Sequence, residues 1–175
     1  PLRTWELLTR EMEVDYAVER GIDIPITREK PYSIDKNLWG CAIECGEMED
    51  LWNEPPADAW QMTKDPSDAP RGSVEITLGY EKGVPVSIDG EALDGVALIS
   101  RLNELAGHYG VGRIDMVENR VVGLKSREVY EAPAATLIHM GHLELERICL
   151  DRATFNYKQR VAQDFANIIY NGTWF

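Results

Sequence analysis

The residues best suited to chemistry gather between positions 113 and 130: Arg113, Asp115, Glu118, Asn119, Arg120, Lys125, Ser126, Arg127 and Tyr130. A carboxylate set beside hydroxyls and cations suits a zwitterionic ligand. The acid accepts hydrogen bonds from an ammonium, and hydroxyl and cationic donors take a carboxylate. On residue types alone the face is either plainly solvated or the lining of a polar pocket, and composition favours the solvated face. Other clusters are weaker. His139 and His142 lie three apart on an expected helix with Glu146 one turn further on, without the i, i+4 histidine pair of a zincin. Cys41 and Cys45 have no second pair, so no metal site is expected from either set. Gly110-x-Gly112 precedes a strand, whereas a dinucleotide loop follows a strand and opens a helix. It reads as a tight connection, and no G-x-x-x-x-G-K-[ST] run occurs.

The elements that must position these residues are legible in outline. Thr9 is a candidate cap for a short helix with Met12, Tyr16 and Ala17 on one face, and Gly21 stops it. Ile22 to Ile26 is expected to be extended because of Pro25. Residues 31–46 read as a loop leading into a short strand, Ala42 to Cys45. The stretch 47–72 holds Pro55, Pro56, Pro66 and Pro70 and reads as irregular, with one helical turn after Asp58. Val74, Ile76, Leu78 and Tyr80 alternate as a strand does, and Val84, Val86 and Ile88 alternate back after the turn Glu81-Lys82-Gly83. An amphipathic helix is expected over 93–109, strands over 113–118 and 121–130, and two closing helices over 134–150 and 156–170. Hairpins interleaved with helices predict an α+β fold, a mixed sheet of antiparallel hairpins packed with helices and ending in two helices.

Bulk properties narrow the partners. Eighteen Lys and Arg against thirty Asp and Glu give a net charge of −12 over 175 residues. Such a chain offers no electrostatic footprint to a phosphate backbone or an anionic membrane. No apolar run approaches the roughly 18 residues of a membrane span. Three cysteines and no basic leader predict reduced thiols and a cytoplasmic protein, and the Asn171-Gly172-Thr173 sequon then has no use. The chain begins at Pro1 and stops at Phe175, which reads as part of something longer.

Two long segments carry a specific resemblance. The first runs Tyr32-Ser33-Ile34-Asp35-Lys36-Asn37-Leu38-Trp39-Gly40 and continues at Ile43-Glu44-Cys45-Gly46. The second, Gly110 to Pro133, reads GVGRIDMVENRVVGLKSREVYEAP. In this order and spacing they resemble the argininosuccinate synthase family. The likeness extends to the sequel of the opening helix from Gly21, to Leu102-Asn103-x-x-Ala106-Gly107, and to the closing Asn171-Gly172-Thr173-Trp174-Phe175.

The resemblance implies a ligase that joins citrulline and aspartate at the expense of ATP. The products are argininosuccinate, AMP and pyrophosphate, formed through a citrullyl-adenylate, in arginine biosynthesis or the urea cycle. It implies a two-domain homotetramer whose N-terminal domain binds ATP, with magnesium, through a glycine-rich pyrophosphate loop. Nothing like that loop occurs here. Residues 1–175 are therefore expected to be a C-terminal citrulline-binding and oligomerisation domain, with no catalytic residue assigned in this segment. By motif, Ser33 matches the serine that hydrogen-bonds citrulline, Glu118 the acid that engages its α-amino group, and Tyr130 the tyrosine whose hydroxyl completes the grip. Many members carry serine nine residues after Ser33, where this chain has Ala42 after Cys41, so that contact is not carried over. Asp35, Asn37 and Arg113 are expected to be structural. Lys125 and Arg127 are open between substrate contacts and a subunit salt bridge. A non-catalytic assembly module is the alternative reading of the isolated chain.

Overall fold

Thr9 starts the first described helix: its hydroxyl accepts the backbone N–H of Met12 at 3.4 Å. Helix α1 spans Arg10–Glu19, and Gly21 follows it at φ 64°. The structure, a computed structural model, describes residues 4–24 and 32–175. The buried positions of α1 are Val14 and Ala17, while Met12 and Tyr16 of the expected face stand largely open. The expected extended run from Ile22 reaches Ile24 here; Pro25 and Ile26 lie outside the described residues.

Strands β1 (Ser33–Lys36) and β2 (Cys41–Glu44) form a hairpin where a loop is expected up to residue 42. Asn37 makes the turn, its side-chain oxygen accepting the N–H groups of Trp39 (2.8 Å) and Gly40 (3.3 Å). After β2 the chain turns through short 3-10 segments at Gly46–Glu49, Ala57–Ala59 and Pro66–Asp68, so the turn expected after Asp58 contains it. Strands β3 (Leu78–Glu81), β4 (Val84–Ile88) and β5 (Glu91–Ala92) follow, then α2 (Gly95–His108). The expected strand from Val74 begins only at Leu78. Before it, Thr77 exchanges hydrogen bonds with Asp89 instead of extending the ladder. Strands β6 (Arg113–Asn119) and β7 (Lys125–Glu131) precede the closing helices α3 (Pro133–Cys149) and α4 (Arg152–Tyr170).

The fold is α+β and ends in two helices, as expected. Its hairpins, however, do not merge into one mixed sheet. They form a four-stranded sheet, order β1-β2-β7-β6, and a three-stranded sheet, order β3-β4-β5, with every described ladder antiparallel. Pairing partners far apart in sequence decide this, and residue alternation does not report them.

Each sheet has its own core. Under the larger sheet, Tyr32, Cys41, Ile43, Met48, Ala59 and Val129 pack together with Trp60 and Met62 against them. Under the smaller one, Ile88 meets Leu98 and Leu102 of α2 and Ala134 of α3. Asn103 joins the two regions. Its amide donates to the Leu38 carbonyl at 2.8 Å, and its oxygen accepts the Ala134 N–H at 2.9 Å. That second bond satisfies a free N–H in the first turn of α3, where Pro133 needs none. Helix α4 is capped by Asp151 but buries no residue.

Candidate functional site

Cross-strand partners lie on one face of a sheet, and successive residues alternate between faces. In the larger sheet Ser33 faces Glu44, Asp35 faces Ala42, Ala42 faces Tyr130, and Glu118 faces Ser126. Ser33, Ala42, Glu44, Glu118, Ser126, Glu128 and Tyr130 therefore share one side. The other side carries Cys41, Ile43, Val129 and Glu131, all buried. Strand pairing thus sets a polar face directly on the back of an apolar core.

On that face three carboxylates converge on one guanidinium. Arg120, in the β6–β7 turn, forms ion pairs with Glu44 and Glu128 and lies 3.7 Å from Glu118. Its Nε donates to the Ser126 hydroxyl at 2.9 Å, and that hydroxyl donates to Glu128 at 3.0 Å. The Tyr130 hydroxyl sits 2.8 Å from Glu118 Oε2 and 2.7 Å from Glu128 Oε2. The face holds more negative than positive charge, which suits a cationic group such as an ammonium.

The environment tunes these groups in different directions. Burial, together with its two carboxylate neighbours, pushes the Tyr130 phenol well above its ordinary value, so it stays protonated. Burial and a hydrogen bond with Glu128 raise Glu44 despite Arg120. Burial also pushes Glu128 upward, but the Tyr130 and Ser126 donors, Glu44 and Arg120 outweigh it and hold Glu128 below the usual carboxylate range. Of this pair, Glu44 is the one that takes a proton first as pH falls.

The opposite side explains the charges that do not join the site. Glu131 is fully buried, and its carboxylate accepts the N–H groups of Gln61 (2.6 Å), Met62 (3.0 Å) and Thr63 (2.8 Å) and the Thr63 hydroxyl (2.6 Å). Arg127 makes a two-pronged pair with Asp115, at 2.9 and 2.7 Å, and donates to the Leu51 carbonyl. Arg113 stacks 3.7 Å over the Trp60 ring and reaches Asp65 at 3.3 Å. Lys125 bonds Asn119 across the same hairpin. His142 pairs with Glu146 at 3.2 Å, and Lys158 reaches the same oxygen at 2.5 Å. Among the described residues, no group of three His, Cys, Asp or Glu side chains is arranged to hold a metal ion.

The Arginosuccinate synthase C-terminal domain family matches residues 32–175. The chain belongs to this family. It is 55% identical over 175 residues to the argininosuccinate synthase of Chlorobium luteolum. The corresponding figure is 54% for the argininosuccinate synthases of Pelodictyon phaeoclathratiforme and Chlorobaculum parvum. All of this chain but only 44% of each relative is covered, so the chain spans less than half the length of these curated relatives.

Within this domain of the argininosuccinate synthase family, Glu118 and Tyr130 come into direct contact. Ser33 shares their face at the start of β1, two strands from Tyr130. Ala42 sits opposite Tyr130, and Cys41 points the other way into the core. The thiol therefore does not stand in for the missing hydroxyl. Burial and then the Glu131 charge push that thiol upward. Asn37 and Arg113 have the structural roles expected of them, and Arg127 is tied within its own chain. Residue types alone do not bring Glu44 and Glu128 into the cluster, nor do they show which partners Arg120, one of its expected polar residues, takes. The signal for Glu128 was available: Ser126, Glu128 and Tyr130 stand two apart on one strand, which places all three on one side. Arg120 carries no such signal, because its partners come from three strands.

Proposed function

We propose that the chain works as the C-terminal domain of an argininosuccinate synthase and supplies part of its citrulline site. The observation that carries this reading is the convergence of Glu118 and Tyr130 on a carboxylate-rich face that Ser33 shares. The α-ammonium of citrulline meets Glu118 and Tyr130, and Ser33 offers a hydroxyl further along the same face. In this reading ATP activates the ureido oxygen as a citrullyl-adenylate, and the aspartate amine then displaces AMP. The task of these residues is to hold citrulline still while the reacting groups meet, a contribution of position rather than of proton transfer.

ATP and its magnesium belong, in the same proposal, to a second domain. That assignment is supported by the length of the relatives, of which this chain covers only 44%. Aspartate is assigned there as well. The proposal extends to a cytoplasmic homotetramer serving arginine biosynthesis or the urea cycle. The exposed apolar side of α4 (Val161, Phe165, Ile168 and Ile169) is consistent with self-association, and no described helix is long and apolar enough to cross a membrane.

The test is Glu118→Ala in the full-length synthase. Removing a charge partner from a desolvated ion pair costs about 2–5 kcal/mol, so the citrulline KM should rise and kcat/KM for citrulline fall steeply, with the ATP KM little changed. Unaltered citrulline kinetics in that variant would end the assignment.

A further inference from the structure

The Tyr130 hydroxyl has one proton and two carboxylates within hydrogen-bond distance, Glu128 at 2.7 Å and Glu118 at 2.8 Å. An ionised carboxylate only accepts, so one proton cannot satisfy both contacts fully. The surroundings of the two acids decide where it goes. Glu128 is 3% exposed, and its second oxygen is already held by the Ser126 hydroxyl and by Arg120. Its free lone pairs have no access to water, so leaving them without the tyrosine proton is costly. The Glu118 side chain is 17% exposed and, among the described residues, has besides Tyr130 only the 3.7 Å approach of Arg120.

We infer that Glu128 is a positioning residue: it accepts the hydrogen bond that the Tyr130 hydroxyl donates, so that the tyrosine oxygen presents only its lone pairs to the other side, leaving Glu118 and Tyr130 as paired acceptors for a substrate ammonium. This rests on the citrulline reading above and deepens it. The 2.8 Å contact between Tyr130 and Glu118 needs a proton from somewhere. With the tyrosine proton committed to Glu128, an ammonium N–H is the donor that relieves it, which makes the pair selective for a cation over a neutral group. Arg120 has the complementary duty. Its contacts to Glu44 and Glu128 offset their charge, leaving Glu118 as the acid that still seeks a partner.

The experiment is a double-mutant cycle in the full-length synthase using Glu128→Gln, Tyr130→Phe and both together, with Glu118→Gln alongside. Glutamine keeps the shape of Glu128, but its amide turned toward Tyr130 sends the phenol proton to Glu118. Glu128→Gln should raise the citrulline KM about tenfold, with kcat within about twofold and the ATP and aspartate KM values unmoved. The double variant should be no worse than Tyr130→Phe, because the acid acts through the tyrosine. The analogue of citrulline lacking the α-amino group, 5-ureidopentanoate, should lose nothing further in Glu128→Gln. The inference is overturned if the two effects multiply, if the deaminated analogue suffers equally, or if all substrates weaken together as misfolding would produce. Should Tyr130→Phe and Glu118→Gln both leave citrulline untouched, it is the citrulline reading that fails. If those two respond while Glu128→Gln does not, only the positioning role falls.

Discussion

A carboxylate with no exposed surface survives only if its lone pairs are answered, and Glu131 is answered four times. Three consecutive backbone N–H groups, from Gln61, Met62 and Thr63, and the Thr63 hydroxyl all point at it. The residue next to Tyr130 in sequence thus faces away from it and holds the loop before Lys64 against the sheet. Hydrogen bonds to a charged acceptor contribute about 1.5–3 kcal/mol each. Glu131→Gln keeps the volume but aims an amide N–H at these donors, so it should cost about 3 kcal/mol and appear as a lower urea midpoint without a change in slope. A variant as stable as the parent would show that the loop is held by other means. The sequence singles out Glu118 and Tyr130 as candidates through their motifs, but not this neighbour. A buried acid is recognised by what surrounds it, and Gln61 to Thr63 lie some seventy positions away.

At the scale of elements, periodicity was readable wherever a face packs on something continuous. Helices α2 and α3 bury Leu98, Leu102 and Ala134 at helical spacing, and their ends fall close to the expected ones. Strand β1 was missed because Ser33, Ile34, Asp35 and Lys36 hold a single apolar residue, so no alternation marks them; pairing with β2 makes them a strand. The division into two sheets is not legible either, since β2 pairs with β7 across about half of the chain. The connection between α2 and β6 is expected to be tight, and the structure shows how tight. Gly112 adopts φ 99°, and a Cβ there would stand 2.6 Å from the Pro133 Cα and 2.7 Å from its nitrogen. Its carbonyl accepts the Ala132 N–H at 2.9 Å, tying the start of β6 to the start of α3. Gly112→Ala combines a left-handed backbone with a collision against backbone atoms that have no slack. The strained conformation alone costs about 1–3 kcal/mol, and the collision adds to it. The variant should therefore melt well below the parent in a thermal scan, whereas Gly123→Ala, equally left-handed at φ 87° but with open space around it, should lose less.

Across the whole molecule, charge sets the response to pH. At neutral pH the chain carries −12, and its self-repulsion works against the compact state. Acidification toward the isoelectric point near 4.7 removes that repulsion and should raise the melting temperature. A second contribution then takes over. Asp65 is held below the ordinary range by the Ser67 hydroxyl and N–H and by Arg113. Asp151 is lowered by Thr154 and Ala153 at the start of α4, and Glu128 by its donors against the pull of burial. A depressed folded value stabilises above the unfolded value, about 4 for these acids, and that gain is lost as pH falls through the folded one. Glu44 works in the opposite sense. Raised by burial and by Glu128, it favours the fold at low pH and loses that contribution as pH rises through its folded value. Among the described residues, three lowered acids against one raised acid leave a net loss in the acid limb. Calorimetry should therefore find the highest melting temperature near pH 5 and a fall below about pH 4. Asp151→Asn separates the causes: asparagine still caps the helix but carries no charge, so the variant should lose the ionised cap's small contribution at neutral pH, converge with the parent in acid and show a flatter acid limb. An acid limb as steep in Asp151→Asn as in the parent would mean that repulsion among the cations left unbalanced below the isoelectric point, and not these lowered carboxylates, governs it.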